Sequence, residues 1–245
     1  MKRIAICIAI FVLAAMASSA VAVTSSEMLA RVKAAESKLG DFQVNMFIEK
    51  ASKKNVSDMG ERYGDILMLD KAVIMYKKPN LFRMDGLAEG IKATYIQNGY
   101  TKVFLAAMIK HRDNVKNKPG KRFDSLDLGF LSSQLWVDNH VSVVGNGNGS
   151  IVKLKLDPKL GDQDLRHDFV WIEPNTLKMV KREKYRGSGE MRVRTTYRDF
   201  QPLTAKLPIA TEATMYNSDG KELGVVTYKN LKANSGLKSS LFAVK

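Results

Sequence analysis

The stretch DKAVIMYKKPNLFRMD, Asp70–Asp85, determines the fold class of this chain. An apolar run ends in two lysines and Pro79, and a second run opens at Asn80-Leu81-Phe82. A proline cannot donate a hydrogen bond to a sheet ladder, so Pro79 belongs at the end or the edge of a strand. The stretch therefore predicts a strand, a short turn and a second strand.

The flanking sequence continues the β pattern. Phe42, Val44, Met46 and Ile48 alternate with other residues, which is typical of a half-buried strand. Asn98-Gly99 between two apolar runs predicts a tight hairpin, and the basic, turn-rich residues 106–124 read as a long loop. Around ten antiparallel strands predict a mainly β, α+β fold with a curved sheet or barrel. Strands with an interruption near Asp70-Lys71 are predicted over residues 62–78. Further strands are predicted at 137–144, 150–156, 165–173, 177–186, 190–201, 209–217 and 223–231.

The N-terminus predicts export. Met1-Lys2-Arg3 is a charged start, Ile4–Ala17 is apolar, and Ala20-Val21-Ala22 resembles a cleavage site for a secretory signal peptide. We expect residues 1–22 to be removed and residues 23–245 to form one periplasmic domain, the alternative being a retained anchor. Cys7 is the only cysteine, so the mature chain would contain neither a disulfide nor a lipidated cysteine.

A helix should open the mature chain. Thr24 and Glu27 have the spacing of a capping box, and Met28, Val32 and Leu39 fall on one helical face. The sequence predicts a helix over residues 25–39.

The net charge of +14 indicates an anionic partner. Because the chain is predicted to be exported, nucleic acid is excluded and an anionic membrane surface or an acidic protein is favoured. The alternative is a generally basic, solvated surface.

These features resemble the outer-membrane lipoprotein carrier, or LolA-like, family. The resemblance rests on the order of Gly64–Leu67 and Pro79, the Asn98–Thr101 hairpin, Trp171–Pro174 and the tail Asn234–Phe242. It implies an incomplete antiparallel β-barrel with an N-terminal helix, in which short lid helices cover an apolar concave face. It also implies an acylated lipoprotein or lipid as ligand, an inner-membrane ABC exporter that loads the cargo and an outer-membrane acceptor that receives it.

Strand alternation and the resemblance together predict the lining of a lipid cavity. The alternative, a filled core, stays open because both use inward apolar side chains. The predicted lining residues are Phe42, Val44, Met46, Ile48, Ile66, Met68, Phe82, Met84, Val170, Ile172 and Met179.

A lid and its latch are also predicted. Residues 125–136 read as a short helix plus turn whose apolar side chains must cover something, either as a mobile lid or as ordinary helix-on-sheet packing. The resemblance places a basic residue before Pro79 as the latch of the closed lid, which is Lys78 here, with Arg83 as the alternative. The lid residues are Phe130, Leu131, Leu135 and Trp136.

Alternation further predicts a basic stripe on the convex side. If the hairpin across residues 187–189 is in register, six side chains share one face and dock the protein to anionic headgroups or an acidic partner. The alternative is a solvated face. The six residues are Arg182, Lys184, Arg186, Arg192, Arg194 and Arg198.

The sequence contains no residue pattern typical of a catalytic site. His111, His140 and His167 lack metal-ligand spacing, and no serine lies in a nucleophile elbow. We therefore expect no enzyme activity, no metal and no cofactor. The sequence favours a periplasmic carrier that sequesters acyl chains, with a sensor domain of the envelope-stress type as the alternative.

Overall fold

A computed structural model describes residues 22–57, 67–145, 147, 149–159 and 166–244. The helices are α1 (Ser25–Glu36), α2 (Lys53–Ser57) and α3 (Gln134–Asp138), and 3-10 helices cover Pro119–Lys121, Ser125–Leu128 and Ser239–Phe242. The strands are β1 (Asp41–Ala51), β2 (Lys71–Lys77), β3 (Leu81–Ala88), β4 (Ile91–Asn98), β5 (Thr101–Ala106), β6 (Ile109–Asn114), β7 (Asn139–Val144), β8 (Val152–Pro158), β9 (His167–Glu173), β10 (Lys178–Tyr185), β11 (Met191–Thr204), β12 (Leu207–Asn217) and β13 (Glu222–Ala233).

Within the described residues the strands form one antiparallel sheet of thirteen members. Their spatial order is β6-β5-β4-β3-β2-β1-β13-β12-β11-β10-β9-β8-β7. Strands that follow each other in the chain are neighbours except β6 and β7, and the first and last strands, β1 and β13, pair at the centre. β6 and β7 lie at the two edges and do not pair with each other, so the sheet is not closed. This confirms the predicted incomplete barrel with an N-terminal helix.

The Asp70–Asp85 stretch forms the predicted hairpin. Lys77 pairs with Leu81 and Tyr76 with Phe82, so Pro79 lies in the turn between β2 and β3. The interruption predicted near Asp70-Lys71 is confirmed, since residues 67–68 form a 3-10 turn and β2 begins at Lys71. Residues 58–66 lie outside the described part of the chain.

One predicted loop is partly a strand. β6 lies within residues 106–124 and pairs with β5 from Ile109 opposite Ala106 to Asn114 opposite Thr101. Its side chains are mostly exposed, as expected for an edge strand, so the apolar alternation that reveals inner strands is absent. The predicted long loop is therefore wrong over these residues.

The helix α1 covers part of the concave side of the sheet. Its capping box is formed by Thr24 and Glu27, with the Thr24 amide donating to the Glu27 carboxylate at 2.8 Å. The helix ends at Glu36 rather than at the predicted Leu39, and it buries Met28, Val32 and Ala35 in the core.

The C-terminal tail covers part of the convex side. Leu237 and Phe242 pack on Met75 of β2 and Ile96 of β4, in a cluster separate from the main core. Among the helices of the described residues, none has the length and apolar composition needed to cross a bilayer.

Candidate functional site: the concave face and its cover

The concave face of the sheet is apolar, and other parts of the chain fill it. Phe42, Val44 and Met46 of β1 are almost completely buried. They belong to one cluster with α1 and with residues 126–135. The same cluster includes the predicted residues Phe82, Val170, Ile172 and Met179, with Ile48 and Met84 partly buried at its margin.

Two residues of the predicted lining do not fit this description. Met68 is 43% exposed, whereas Leu67 and Leu69 beside it are buried. Its assignment to the concave face is wrong, because the chain forms a 3-10 turn there instead of a strand. Ile66 lies outside the described residues. Contact between the remaining lining residues and a lipid stays a prediction.

Residues 124–138, hereafter the covering segment, supply the side chains that fill the concave face. Phe130 packs edge-on against Phe42 and Tyr76, with ring centroids 5.5 and 5.3 Å apart. Leu131 and Leu135 are buried in the same cluster, and Trp136 packs partly buried against it. All four predicted lid residues therefore lie on the core side of this segment.

Polar contacts join the covering segment to α1. The Ser133 amide donates to the Glu36 carboxylate at 3.1 Å, and the Ser133 hydroxyl donates to the same group. The Trp136 indole donates to the Ser25 hydroxyl at 3.0 Å. The segment is thus fixed to both ends of the helix.

An ionic cluster joins the start of the covering segment to the sheet. The Arg182 guanidinium on β10 is only 4% exposed and contacts Asp127 at 2.8 Å and Asp124 at 3.2 Å. It also donates to Asp168 of β9 at 2.8 Å through Nε. Lys184 contacts the same Asp127 oxygen at 2.8 Å. Three carboxylates therefore face two cations, which leaves one negative charge in excess.

The charge balance of this cluster perturbs its acids in opposite directions. Burial raises the pKa of Asp124 to about 6, despite the opposing effect of Arg182. For Asp127 burial has the same tendency, but Lys184 and Arg182 outweigh it and lower the pKa. Asp124 and Asp127 also cap the 3-10 helix Ser125–Leu128, since each carboxylate accepts from the other's backbone amide. The cluster therefore fixes both the position and the local fold of the segment.

A small cavity lies beside the covering segment. Its volume is about 100 Å³. Small-molecule sites typically have roughly 300–1,000 Å³. Polar and charged side chains such as Arg122, Asp138 and Arg182 line much of it. With the covering segment in place, this cavity is therefore smaller than a typical ligand site.

Solved structures share this architecture. A LolA superfamily protein from Nitrosomonas europaea superposes with a TM-score of 0.63 at 15% identity, over 91% of this chain and 98% of its own. The chain has the LolA-like fold. A domain from Vibrio parahaemolyticus assigned to outer membrane lipoprotein sorting gives 0.60 at 14% identity, over 88% of this chain and 94% of its own.

A third likeness is to a DUF1329 family protein from Desulfovibrio piger, with a TM-score of 0.59 at 11% identity over 89% of this chain and 95% of that one. No protein-family model matches the chain, and no curated protein matches it in sequence. The LolA-like fold is therefore recognised through structure.

The two latch candidates have other partners in this LolA-like fold. Lys78 donates to the main-chain carbonyl of Glu36 at 2.9 Å. Its link to the covering segment is indirect, because the Glu36 carboxylate accepts from Ser133 of that segment. Arg83 contacts Asp85 at 2.8 Å and the carbonyl of Leu241 at 2.9 Å. Arg83 lies under the C-terminal tail on the convex side, so its assignment as a latch is wrong.

The predicted basic stripe is divided between the two faces of the sheet. Arg182 pairs with Thr195 and Glu183 with Arg194, so Arg182 and Arg194 point to opposite sides. The predicted register across the hairpin was wrong, and a bulge between Met191 and Val193 places Arg192 beside the cavity, away from Arg194. The single convex stripe is therefore wrong. Lys184 and Arg192 line the cavity with Arg182, whereas Arg186 pairs with Glu190 and Arg198 with Glu212.

Sequence reasoning missed the ionic cluster around Arg182. The acids Asp124 and Asp127, three residues apart before an apolar run, have the spacing of a helix cap and could have marked the start of the covering segment. Their pairing with Arg182 spans 55 residues or more, so no local pattern indicates it.

Proposed function

We propose that this protein is a non-enzymatic carrier that sequesters the acyl chains of a lipid or lipoprotein. The cargo would lie on the concave face after the covering segment has moved aside. Phe42, Val44, Met46 and Phe82 would then exchange contacts with Phe130 and Leu131 for contacts with hydrocarbon.

One observation supports this proposal above the others. The covering segment fills an apolar face, yet it is not a strand of the sheet. Its side chains form hydrogen bonds and ion pairs through Asp124, Asp127, Ser133, Trp136 and Asp138. Its main chain accepts isolated bonds from the sheet, among them those from the Ala210 amide to Gly129 and from the Tyr197 hydroxyl to Leu126. Such a segment can leave without breaking the strand ladder. The sheet would remain folded while its apolar face opened.

The energetics suit a reversible exchange. Each methylene removed from water contributes about 0.8 kcal/mol, so an acyl chain gains strongly by entering an apolar site. Displacing the covering segment exposes Phe130, Leu131 and Leu135, which offsets part of that gain. Binding is therefore weaker than the cargo's hydrophobicity alone would give, and release stays accessible.

We infer the cellular location of the carrier from the sequence and from the fold. The signal-like residues 1–22 favour export to the periplasm, and the LolA-like fold supports a route toward the outer membrane. We infer that an inner-membrane ABC exporter loads the cargo and an outer-membrane acceptor receives it.

Native mass spectrometry of the mature protein, purified gently from the periplasm, tests the proposal. We expect bound lipid or acylated peptide in a ratio near one to one, identified after organic extraction. A bare protein that also fails to bind a fluorescent fatty acid would contradict the carrier function. Capture of a membrane-protein ectodomain by such a bare protein would favour the sensor alternative.

A further inference from the structure

The arm formed by β3 to β6 ends in an exposed apolar tip. Met108, in the turn between β5 and β6, is fully exposed, and Ile109 and Ile91 are 63% and 53% exposed. The strand register places Ile91 and Ile109 on the same face at this end of the sheet. Ala93 pairs with Ala106, and Ala106 pairs with Ile109. Ile91 lies two residues before Ala93 and therefore shares its face. Three large apolar side chains therefore share one end of the sheet.

Basic side chains lie directly behind this tip. Lys92 and Lys110 follow Ile91 and Ile109 in sequence and point to the opposite face of the sheet, together with Arg112. All three are exposed. The end of the arm therefore has apolar residues on its concave side and cations on its convex side.

The acids of the arm already have partners. Glu89 pairs with Lys53 at 3.3 Å, Asp85 with Arg83 at 2.8 Å and Asp113 with Lys118 at 2.8 Å. Within the described residues no carboxylate forms an ion pair with Lys92, Lys110 or Arg112. The tip therefore carries positive charge available to an external anionic surface.

We propose that the tip of this arm, Met108, Ile109 and Ile91 with Lys92, Lys110 and Arg112, docks the protein onto an anionic lipid bilayer. The apolar side chains enter the boundary between headgroups and acyl chains, and the longer basic side chains extend back to the phosphates. This surface replaces the convex stripe as the membrane contact. It acts independently of cargo binding, so it goes beyond the carrier function.

A second copy of the chain fits this tip less well. β6 is an edge strand, and Lys110 and Arg112 on it oppose pairing with the β6 of another copy, since like charges would face each other. An anionic bilayer instead satisfies both features of the tip, the apolar side chains and the cations behind them.

The apolar face of the tip continues into the concave face. Phe104 pairs with Tyr95, and Tyr95 pairs with Met84 at the margin of the main core. A bilayer contact at the tip would therefore lie at one end of a continuous apolar path to the concave face.

Vesicle co-sedimentation tests the proposal, with vesicles of phosphatidylcholine alone or with phosphatidylglycerol added. We expect the mature protein to bind only the phosphatidylglycerol vesicles and to be released by high salt. The triple variant Lys92→Gln, Lys110→Gln, Arg112→Gln should bind more than about tenfold more weakly, since each basic residue near an anionic bilayer contributes about fivefold. The double variant Met108→Ser, Ile109→Thr should lose about tenfold, because its side chains no longer enter the hydrocarbon.

Matched controls exist at the other end of the strands. Ile151→Thr replaces an apolar residue that is 48% exposed at the β7–β8 turn, and Lys206→Gln removes an exposed charge at the β11–β12 turn. Both variants should bind as the parent does. Equal loss in these controls, no loss in the tip variants, or no binding of the parent to phosphatidylglycerol vesicles would overturn the proposal. A concentration-dependent dimer abolished by the tip variants, without vesicle binding, would instead assign the surface to a second copy.

Discussion

Arg182 on β10 and Asp127 in the covering segment form an ion pair of 2.8 Å between side chains that are 4% and 19% exposed. Through this pair and the contact to Asp124, a strand of the sheet fixes the segment that fills the concave face. A buried guanidinium requires acceptors on several sides, and here two of its three carboxylate partners come from the covering segment. Arg182 is therefore one of several side chains that fix the closed position, together with Glu36 and Ser25 of α1.

Replacing Arg182 by glutamine should release the covering segment. Three carboxylates would remain with only Lys184, and breaking a buried pair typically costs about 3–5 kcal/mol. We expect the free energy of unfolding to fall by about 3 kcal/mol in urea titrations, and binding of a fluorescent fatty acid to increase. Arg194→Gln, on the convex face of β11, is the matched control and should leave probe binding unchanged. Equal probe binding by both variants would refute the role of Arg182 as a latch.

Asp124 should give the protein a specific pH dependence. Its pKa is raised from the ordinary 3.8 to about 6, so between these values the folded state binds more protons than the unfolded state. Stability contributed by this group is therefore greatest below about pH 4 and falls as the pH rises to 6. Asp124→Asn removes the titration and balances two carboxylates with two cations, while the amide oxygen still caps the 3-10 helix.

The measurement is urea unfolding of the parent and of Asp124→Asn from pH 4 to 7. The stability of the variant relative to the parent should rise with pH between 4 and 6. Asp219→Asn, in the exposed turn between β12 and β13, controls for the loss of one carboxylate. A difference between parent and Asp124→Asn that does not change with pH would contradict the raised pKa.

Phe130→Ala should weaken the closed state without disturbing the sheet. The change removes the ring that packs on Phe42 and Tyr76, and truncating a buried phenylalanine typically costs about 3–5 kcal/mol. We expect faster hydrogen exchange confined to the covering segment, and stronger binding of the fatty-acid probe. Phe47→Ala, on the other face of β1, is the control. Exchange that increases equally throughout the strands would show that Phe130 is ordinary core.

Gly129→Ala tests how closely the covering segment must approach the sheet. Gly129 has a φ of +77°, and an added Cβ would lie 2.9 Å from the Ala210 Cβ and 3.1 Å from the Tyr197 ring. Gly189→Ala is the matched control, because it has a φ of +83° and nothing within 4 Å of the added Cβ. Both changes incur the left-handed penalty of about 1–2 kcal/mol.

Only Gly129→Ala should also push the segment away from the sheet. Thermal unfolding should therefore show a larger loss of stability at Gly129 than at Gly189, together with faster proteolysis within the covering segment. Equal losses at the two positions would mean that the segment tolerates displacement at no extra cost.

Local signals predicted much of this fold from the sequence. The Thr24–Glu27 cap, the Pro79 turn and the Asn98-Gly99 hairpin each depend on residues close in the chain, and each forms as expected. Period-two alternation placed Phe42, Val44 and Met46 correctly on the concave face.

Features that depend on distant partners were not predictable in this way. The register between β10 and β11 includes a bulge at Lys184/Tyr185, and no pattern in the turn specifies it, so Arg182 was placed on the wrong face. β6 has few apolar residues and becomes a strand only because β5 supplies its hydrogen bonds.

The covering segment belongs to the connection between the two edge strands, since β6 ends at Asn114 and β7 begins at Asn139. In the proposed carrier it would act as a tethered competitor of the cargo, because its attachment to both edges of the sheet gives it a high effective concentration that does not depend on dilution. A cargo would have to compete with it, so its measured affinity would be the intrinsic affinity reduced by the fraction of open molecules. Return of the tethered segment to the concave face would then help to expel the cargo at its destination.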